Sequence, residues 1–233
     1  MKSNDGHAPG ADLAPTYFVD SDDANVRDFA ARAIGDARGE REKAVRLFYA
    51  VRDGILYDPY SLTLDPADYR ASAVLARGRA FCVPKSILLA ASARAVGIGA
   101  RLGFADVRNH LTSKRLFEAM RTDVFAFHGY TSLFVDGRWF KVTSAFNRSL
   151  CEKFGVRPQE FDGRSDALLH PYDLGGRRHM EYLRDRGEHD DFPFDDFVAA
   201  MREHYPHWFA GLAAPTGDFE TEGRFEPDAS AGA

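Results

Sequence analysis

The stretch from residue 78 to 147 constrains the fold more than any other part of the chain. A strongly apolar helical pattern opens at Cys82, runs to about Val96 and stops at Gly97. Three extended segments follow, and the last two are joined through Asp136-Gly137, a dipeptide typical of a tight β-hairpin. Helices that precede a run of neighbouring strands indicate an α+β domain. We therefore expect one α+β domain with a C-terminal extension.

Hydrophobic periodicity, capping residues and breakers predict the other elements. The predicted helices run from caps at 21–23 to about 37, and over 40–53, 82–96, 112–120, 150–154 and 194–205, with a short turn at 72–76. The predicted strands are 100–107, 125–135 and 138–142. Residues from about 157 to 190 are rich in Gly, Asp, Arg and His, so we expect them to be irregular.

These patterns divide the chain into four parts. Residues 1–20 are predicted to be a flexible lead-in, and 21–150 to be the core that carries the chemistry. Residues 151–214 are expected to form a C-terminal extension packed on the core, and 215–233 a loose tail.

Composition narrows the class of protein. The net charge is −5, with 30 basic and 35 acidic residues, which argues against a nucleic-acid partner. No apolar run is long enough to span a bilayer and the N-terminus is polar, so we expect a cytoplasmic protein without a membrane partner. The two cysteines, Cys82 and Cys151, fit a reduced compartment, and a disulfide between them is the alternative.

No cofactor or metal is predicted. The sequence has no Gly-rich phosphate loop. His170, His179 and His189 lie among acidic residues, but their spacing matches no zinc pattern.

Cys82 and His128 are the candidate nucleophile and base. The first turn of a helix offers unpaired N–H groups and a favourable dipole, which stabilise a thiolate and an oxyanion. His128 lies on the strand before the Asp136-Gly137 turn and serves as general base if that hairpin faces the Cys82 helix. For Cys82 alone, a buried structural role is the simpler interpretation, and for His128 alone it is a structural or surface role.

Three blocks of the chain carry a resemblance to a known family. They are Lys43 to Tyr57, a helix followed by Ile55-Leu-Tyr57; Val74 to Cys82 with the Leu88 to Arg101 segment; and His128 to Trp139 with its Asp-Gly turn. In this order they resemble the transglutaminase-like superfamily, the papain-related cysteine enzymes, over about residues 20 to 150. The resemblance implies a papain/transglutaminase-like core in which a nucleophile helix packs on an antiparallel sheet, with Cys82 and His128 as the catalytic pair.

The chain also departs from the family pattern. Ala80 stands where the family has glycine, and Gly99 where it has proline. The family's aspartate after the tryptophan is replaced by Thr143 in Thr143-Ser-Ala-Phe-Asn147, a string that resembles a bacterial branch without an assigned substrate. The residue behind His128 is therefore open among Asn147, Thr143, Asp166 and Asp173, with Asn147 favoured because an amide oxygen can orient an imidazole.

The resemblance implies cysteine-dependent acyl transfer through a thioester. Hydrolysis of a peptide or protein carboxamide, by a protease or amidase, is favoured over transglutaminase-like transfer to an amine. A non-catalytic scaffold or binding module is the main alternative, and a regulatory thiol sensor at Cys82 is a further one. The sequence gives no prediction of oligomeric state.

Overall fold

A computed structural model describes residues 10–110, 112–209, 217–222 and 224–225. The α-helices are α1 (Ala24–Ile34), α2 (Glu40–Gly54), α3 (Ala71–Arg77), α4 (Cys82–Ala95), α5 (Lys114–Met120), α6 (Arg148–Phe154), α7 (Phe194–His204) and α8 (Pro206–Phe209). The strands are β1 (Leu56–Tyr57), β2 (Arg79–Ala80), β3 (Ala100–Asn109), β4 (Thr112–Ser113), β5 (Val124–Val135), β6 (Arg138–Val142), β7 (Met180–His189) and β8 (Arg224–Phe225). Short 3-10 turns lie at Ala11–Leu13, Pro59–Ser61, Pro66–Tyr69 and Phe219–Thr221.

The main sheet is antiparallel, with the strand order β6-β5-β3-β7. Asp136 and Gly137 link β5 to β6 with φ angles of 49° and 80°, the left-handed pair that a tight hairpin turn requires. The α4 helix packs on β5 and β3. The predicted α+β class, with the Cys82 helix on an antiparallel sheet, is confirmed.

Helix α4 is buried on every side, from Cys82 to Arg94. A helix enclosed in this way must satisfy its polar side chains inside the protein. Lys85 does so by donating from Nζ to the carbonyls of Arg52, at 2.9 Å, and Ile55, at 2.5 Å. These carbonyls belong to the end of α2, where backbone acceptors lack helical partners. Lys85 thereby ties α4 to α2, and burial lowers its pKa to about 7.

The prediction that residues 157–190 are irregular was wrong for Met180–His189, which form β7 and pair with β3. This strand lies at the edge of the sheet and most of its side chains are exposed. An exposed edge strand needs no apolar alternation, so hydrophobic periodicity gives no signal for it.

The first helix is shorter than expected and ends at Ile34, because Gly35 turns the chain with a φ of 52°. The short turn predicted at 72–76 is a full helix, α3. The segment 112–120 begins with the short strand β4, and its helix starts only at Lys114.

The described residues near both ends lie against the core. In the segment predicted to be a flexible lead-in, Phe18 and Val19 are buried and the buried carboxylate of Asp12 accepts from Arg101 at 2.7 and 2.8 Å. In the segment predicted to be a loose tail, Phe219 is buried. The same predictions for residues 1–9, 215–216, 223 and 226–233 fall outside the described residues.

Both cysteines are free thiols, so the alternative Cys82–Cys151 disulfide does not form. Of the helices in the described ranges, none combines the length and apolar character needed to cross a membrane.

Candidate active site

Cys82 is the first residue of α4, and the residue before it, Phe81, provides no side-chain cap. The backbone N–H groups of Cys82, Val83 and Gly129 lie beside the thiol and favour its thiolate form. Burial acts in the opposite direction and is the larger effect, so the pKa of the Cys82 thiol is raised to about 11. The resting nucleophile is therefore a neutral thiol surrounded by groups that can receive negative charge.

His128 lies on β5 and is buried, with 4% of its surface exposed. Burial disfavours the imidazolium and lowers the pKa of His128 to about 4. Thr143, directly after β6, is fully buried behind the ring, with its Oγ1 3.4 Å from Nε2. This is a long contact for a hydrogen bond. A partner at Nε2 leaves Nδ1 as the nitrogen that can exchange a proton with a reacting group.

Gly129 allows β5 to approach the start of α4. A Cβ placed on Gly129 would lie 2.9 Å from Cα of Val83 and 3.2 Å from Oγ of Ser86, closer than carbon atoms pack. A hydrogen bond between the two elements supports the same approach, since the Thr131 hydroxyl of β5 donates to the carbonyl of Ser86 in α4 at 3.0 Å. The glycine after His128 thus brings the strand with the imidazole against the helix with the thiol.

A β-bulge precedes His128. The register passes from Ala105–His128 to Val107–Phe125, so Ala126 and Phe127 together face one residue of β3. Phe127 has a φ of 62°, an uncommon angle for a bulky side chain. The bulge changes the direction of the strand immediately before His128.

Side chains satisfy the backbone groups that the bulge leaves unpaired. The N–H of Ala126 donates to the hydroxyl of Tyr205 at 2.7 Å, and that hydroxyl donates to the carbonyl of Val124 at 2.9 Å. The N–H of Phe127 donates to Asp106 Oδ1 at 3.0 Å. A buried backbone donor without an acceptor is costly, so Tyr205 and Asp106 stabilise the bulge.

Asp106 is itself held by Arg186 of β7, which donates from Nε at 2.6 Å and from a terminal nitrogen at 3.0 Å. The guanidinium also lies 5.0 Å from the centre of the Phe127 ring. Residues of the three strands β3, β5 and β7 therefore maintain the conformation of the chain at His128.

Cys82 and His128 line one pocket, with a cavity of about 60 Å³. Its other walls are mainly aliphatic or aromatic and come from Tyr57, Pro59, Leu62, Phe81, Leu116, Met120, Phe125, Ala126, Phe127, Met201, Tyr205 and Trp208. Within the described ranges no Asp, Glu, Lys or Arg side chain lines this active-site pocket. A thiol and an imidazole at the border of an apolar cavity can act as nucleophile and base toward an uncharged carbonyl compound.

The neutral forms of the pair are favoured in the empty site. The gap between a pKa of about 11 for Cys82 and about 4 for His128 corresponds to about 10 kcal/mol for proton transfer. Proton transfer is therefore expected to accompany attack on a bound substrate.

The structure brings Thr143, but not the other candidates, to His128. The Asn147 side chain accepts from the Tyr57 N–H at 2.9 Å and donates to Ser149 at 2.7 Å and to Glu220. Asp166 accepts from the N–H of Lys141, and Asp173 binds Arg177. Asn147 thus fixes Tyr57, a wall of the pocket, and these contacts do not support the orienting role predicted for it.

Sequence reasoning missed Gly129, and it missed the contacts that Tyr205 and Asp106 make with the bulge. Gly129 follows the candidate histidine directly, and a glycine inside an apolar strand is a signal of close backbone approach. Nothing local in the sequence connects Tyr205 or Asp106 to the bulge. Among the described residues, no group of three or more His, Cys, Asp or Glu side chains is arranged to hold a metal ion.

Comparison with solved structures finds similar chains, and three of them are 14% to 19% identical to this one. A presumed cysteine protease from Cytophaga hutchinsonii is 17% identical with a TM-score of 0.48, over 77% of this chain and 46% of the other. A TGase is 19% identical with a TM-score of 0.36, over 52% of this chain and 31% of the other. The arylamine N-acetyltransferase of Nocardia farcinica is 14% identical with a TM-score of 0.46, over 87% of this chain and 75% of the other. The chain thus spans about half the length of the first of these structures.

No curated protein matches the chain. The family model of the transglutaminase-like superfamily matches residues 27–144, just over half of the 233 residues. The matched range contains Cys82, His128 and Thr143, and it ends before Asn147 and the strand β7. This match agrees with the helix-on-sheet arrangement of the thiol and the imidazole, and the chain belongs to the transglutaminase-like superfamily.

Proposed function

We propose that the protein is a cysteine-dependent acyl-transfer enzyme, with Cys82 as nucleophile and His128 as general base. The observation that carries the proposal is the shared pocket: the thiol at the start of α4 and the imidazole on β5 border one cavity, and Gly129 sets their approach. The proposed reaction is hydrolysis of a peptide or protein carboxamide, as by a protease or amidase. Transglutaminase-like transfer to an amine is its alternative outcome.

In the proposed reaction His128 takes the thiol proton as Sγ of Cys82 attacks the carbonyl carbon. The negative charge that develops on the carbonyl oxygen is received by N–H groups beside the thiol, those of Val83 and Gly129. His128 then gives its proton to the leaving amine, and a thioester remains on Cys82. Water or a second amine resolves the thioester, and how well water is kept from the pocket decides between the two.

Thr143 is proposed to orient His128 through Nε2. A hydroxyl accepts or donates a hydrogen bond but carries no charge that would stabilise an imidazolium. The low pKa of His128, about 4, is in keeping with a base that has no acidic partner. We therefore expect a slower reaction than a carboxylate in the position of Thr143 would give.

A non-catalytic scaffold that binds a ligand in the same pocket is the second candidate. Two observations favour it: the thiol and the imidazole are both buried in their neutral forms, and threonine stands where the family has aspartate. Under this proposal substitution of Cys82 leaves the function intact.

The test is the rate at which iodoacetamide alkylates Cys82 between pH 6 and pH 9, followed by mass spectrometry of the intact protein. If His128 acts as base, we expect wild type to react faster than His128→Ala over the whole range. Cys82→Ala provides the background from Cys151, whose thiol is buried and has a pKa raised to about 12. Equal rates in folded wild type and folded His128→Ala would rule out the proposed pair and favour the scaffold.

Turnover is tested separately with a library of peptide amides, with and without an added primary amine. Cys82→Ala should abolish release of the acyl product while the protein keeps its circular dichroism spectrum. An active Cys82→Ala protein would refute the mechanism. The products formed with the added amine show whether the thioester is hydrolysed by water or transfers its acyl group to the amine.

A further inference from the structure

We infer that the part of the carboxamide substrate next to the reacting carbonyl is an uncharged, short aliphatic acyl group, an inference that rests on the proposed function. The group would lie in the active-site pocket with its carbonyl at Cys82. Three features of the pocket support this substrate class: its lack of charge, its apolar walls and its volume.

The first feature is the absence of charged side chains among the residues that line the pocket in the described ranges. A buried charge is tolerated only when it is paired or well hydrogen-bonded. An acyl group ending in a carboxylate or an ammonium ion would enter the pocket without a partner. The lining therefore selects against acidic and basic acyl groups.

The second feature is the origin of the walls. Leu116 and Met120 come from α5, Met201 from α7 and Trp208 from α8, and all four side chains are buried. The polar side-chain groups in the lining are the thiol of Cys82, the imidazole of His128, the hydroxyls of Tyr57 and Tyr205 and the indole N–H of Trp208. The Tyr205 hydroxyl is already engaged with the β5 backbone. Apolar contact is thus the main interaction that the pocket offers to a ligand.

The third feature is size. The cavity measures about 60 Å³. An apolar protein cavity that binds benzene measures about 150 Å³. A short aliphatic chain therefore enters with less movement of the walls than an aromatic ring requires.

The experiment measures acylation of Cys82 by p-nitrophenyl esters of four acids: acetic, butyric, phenylacetic and succinic, the last as its mono ester. In each reaction the thiol proton passes to His128, the bond between Sγ and the acyl carbon forms, and the bond to the nitrophenol oxygen breaks. The rate is read from the nitrophenol burst and from the acyl adduct in the intact mass. Each rate is divided by that of the same ester with free cysteine, which removes differences in ester reactivity.

For wild type we expect acetyl and butyryl transfer to exceed succinyl transfer by at least about tenfold. Phenylacetyl transfer should be slower than butyryl transfer. Met201→Ala enlarges the pocket and should raise the ratio of phenylacetyl to butyryl rates by about tenfold. Met120→Ala is a second enlarging variant, in case Met201→Ala does not fold.

Met180→Ala is the matched control. Met180 is also buried, but it packs with Val107 and Leu169 in a separate cluster outside the active-site pocket. This variant should keep the wild-type ratios. A change in Met180→Ala equal to that in the pocket variants would overturn the assignment of the acyl group to this pocket.

The outcomes separate the two proposals. If Cys82 is acylated and succinyl transfer matches or exceeds butyryl transfer, the acyl-group inference is wrong and the enzyme proposal stands. If folded wild type forms no adduct at Cys82 with any ester, the enzyme proposal fails and this inference fails with it.

Discussion

Replacement of Thr143 by aspartate tests whether the missing charge behind His128 determines the resting state of the site. Thr143 Oγ1 lies 3.4 Å from His128 Nε2, so a carboxylate at this position would be close to the ring. Opposite charges about 4 Å apart attract by about 4 kcal/mol at an effective dielectric constant of 20. That energy would raise the pKa of His128 from about 4 to about 7, since 1.36 kcal/mol corresponds to one pKa unit.

This increase is the upper limit, because position 143 is fully buried and the new carboxylate would itself lose solvation. The assay is an NMR titration of the His128 ring, assigned by comparison with His128→Asn. Thr143→Asn is the matched control, since it has the shape of aspartate without the charge, and it should leave the pKa of His128 low. Alkylation of Cys82 at pH 7 should be faster in Thr143→Asp than in Thr143→Asn. A folded Thr143→Asp protein with an unchanged His128 titration would refute the reasoning.

Three further predictions concern the geometry around His128. Gly129→Ala places a Cβ 2.9 Å from Cα of Val83, so we expect it to lower the free energy of unfolding by about 1–3 kcal/mol and to slow alkylation of Cys82. If urea unfolding and the rate of alkylation are the same as in wild type, the close approach of β5 to α4 is contradicted. Asp106→Asn weakens the hydrogen bond from the Phe127 N–H, so we expect it to lower the free energy of unfolding in urea by about 2 kcal/mol and to slow alkylation of Cys82. A loss of stability with an unchanged rate of alkylation would show that Asp106 does not position His128. The third prediction concerns the pH dependence of stability. Burial lowers the pKa of His128 to about 4 from an ordinary value of about 6.5. As the pH falls below about 6.5, His128 is therefore protonated in the unfolded chain but stays neutral in the folded chain. As the pH is lowered from 7 to 4, the free energy of unfolding should then fall by about 3 kcal/mol more in wild type than in His128→Asn. If the free energies of unfolding of the two proteins change with pH in parallel, a buried neutral imidazole is contradicted.

The sequence predicted those parts of the fold whose cause is local. The Asp136-Gly137 hairpin and the helix α4 that begins at Cys82 depend on turn geometry, capping and periodicity, which are properties of neighbouring residues. The same reasoning, with the resemblance, identified Cys82 and His128 as a pair, and both line one pocket.

The strand β7 shows where that reasoning fails. Met180–His189 is a strand because β3 offers it a hydrogen-bonding edge, and its exposed side chains follow no apolar alternation. Arg186 of this strand supports the chain at His128 through Asp106. A contact between residues eighty positions apart has no local signature in one sequence.

The sequence by itself determined that a thiol begins a helix and that a histidine precedes a hairpin, because short-range backbone preferences set both. Only the tertiary structure decided what the two groups are chemically. Burial from all sides makes both neutral, raising the pKa of Cys82 to about 11 and lowering that of His128 to about 4. Packing also sets the neighbours of the imidazole, since the position of β6 beside β5 places Thr143 Oγ1 3.4 Å from Nε2 of His128 and the Asn147 side chain accepts from the Tyr57 N–H.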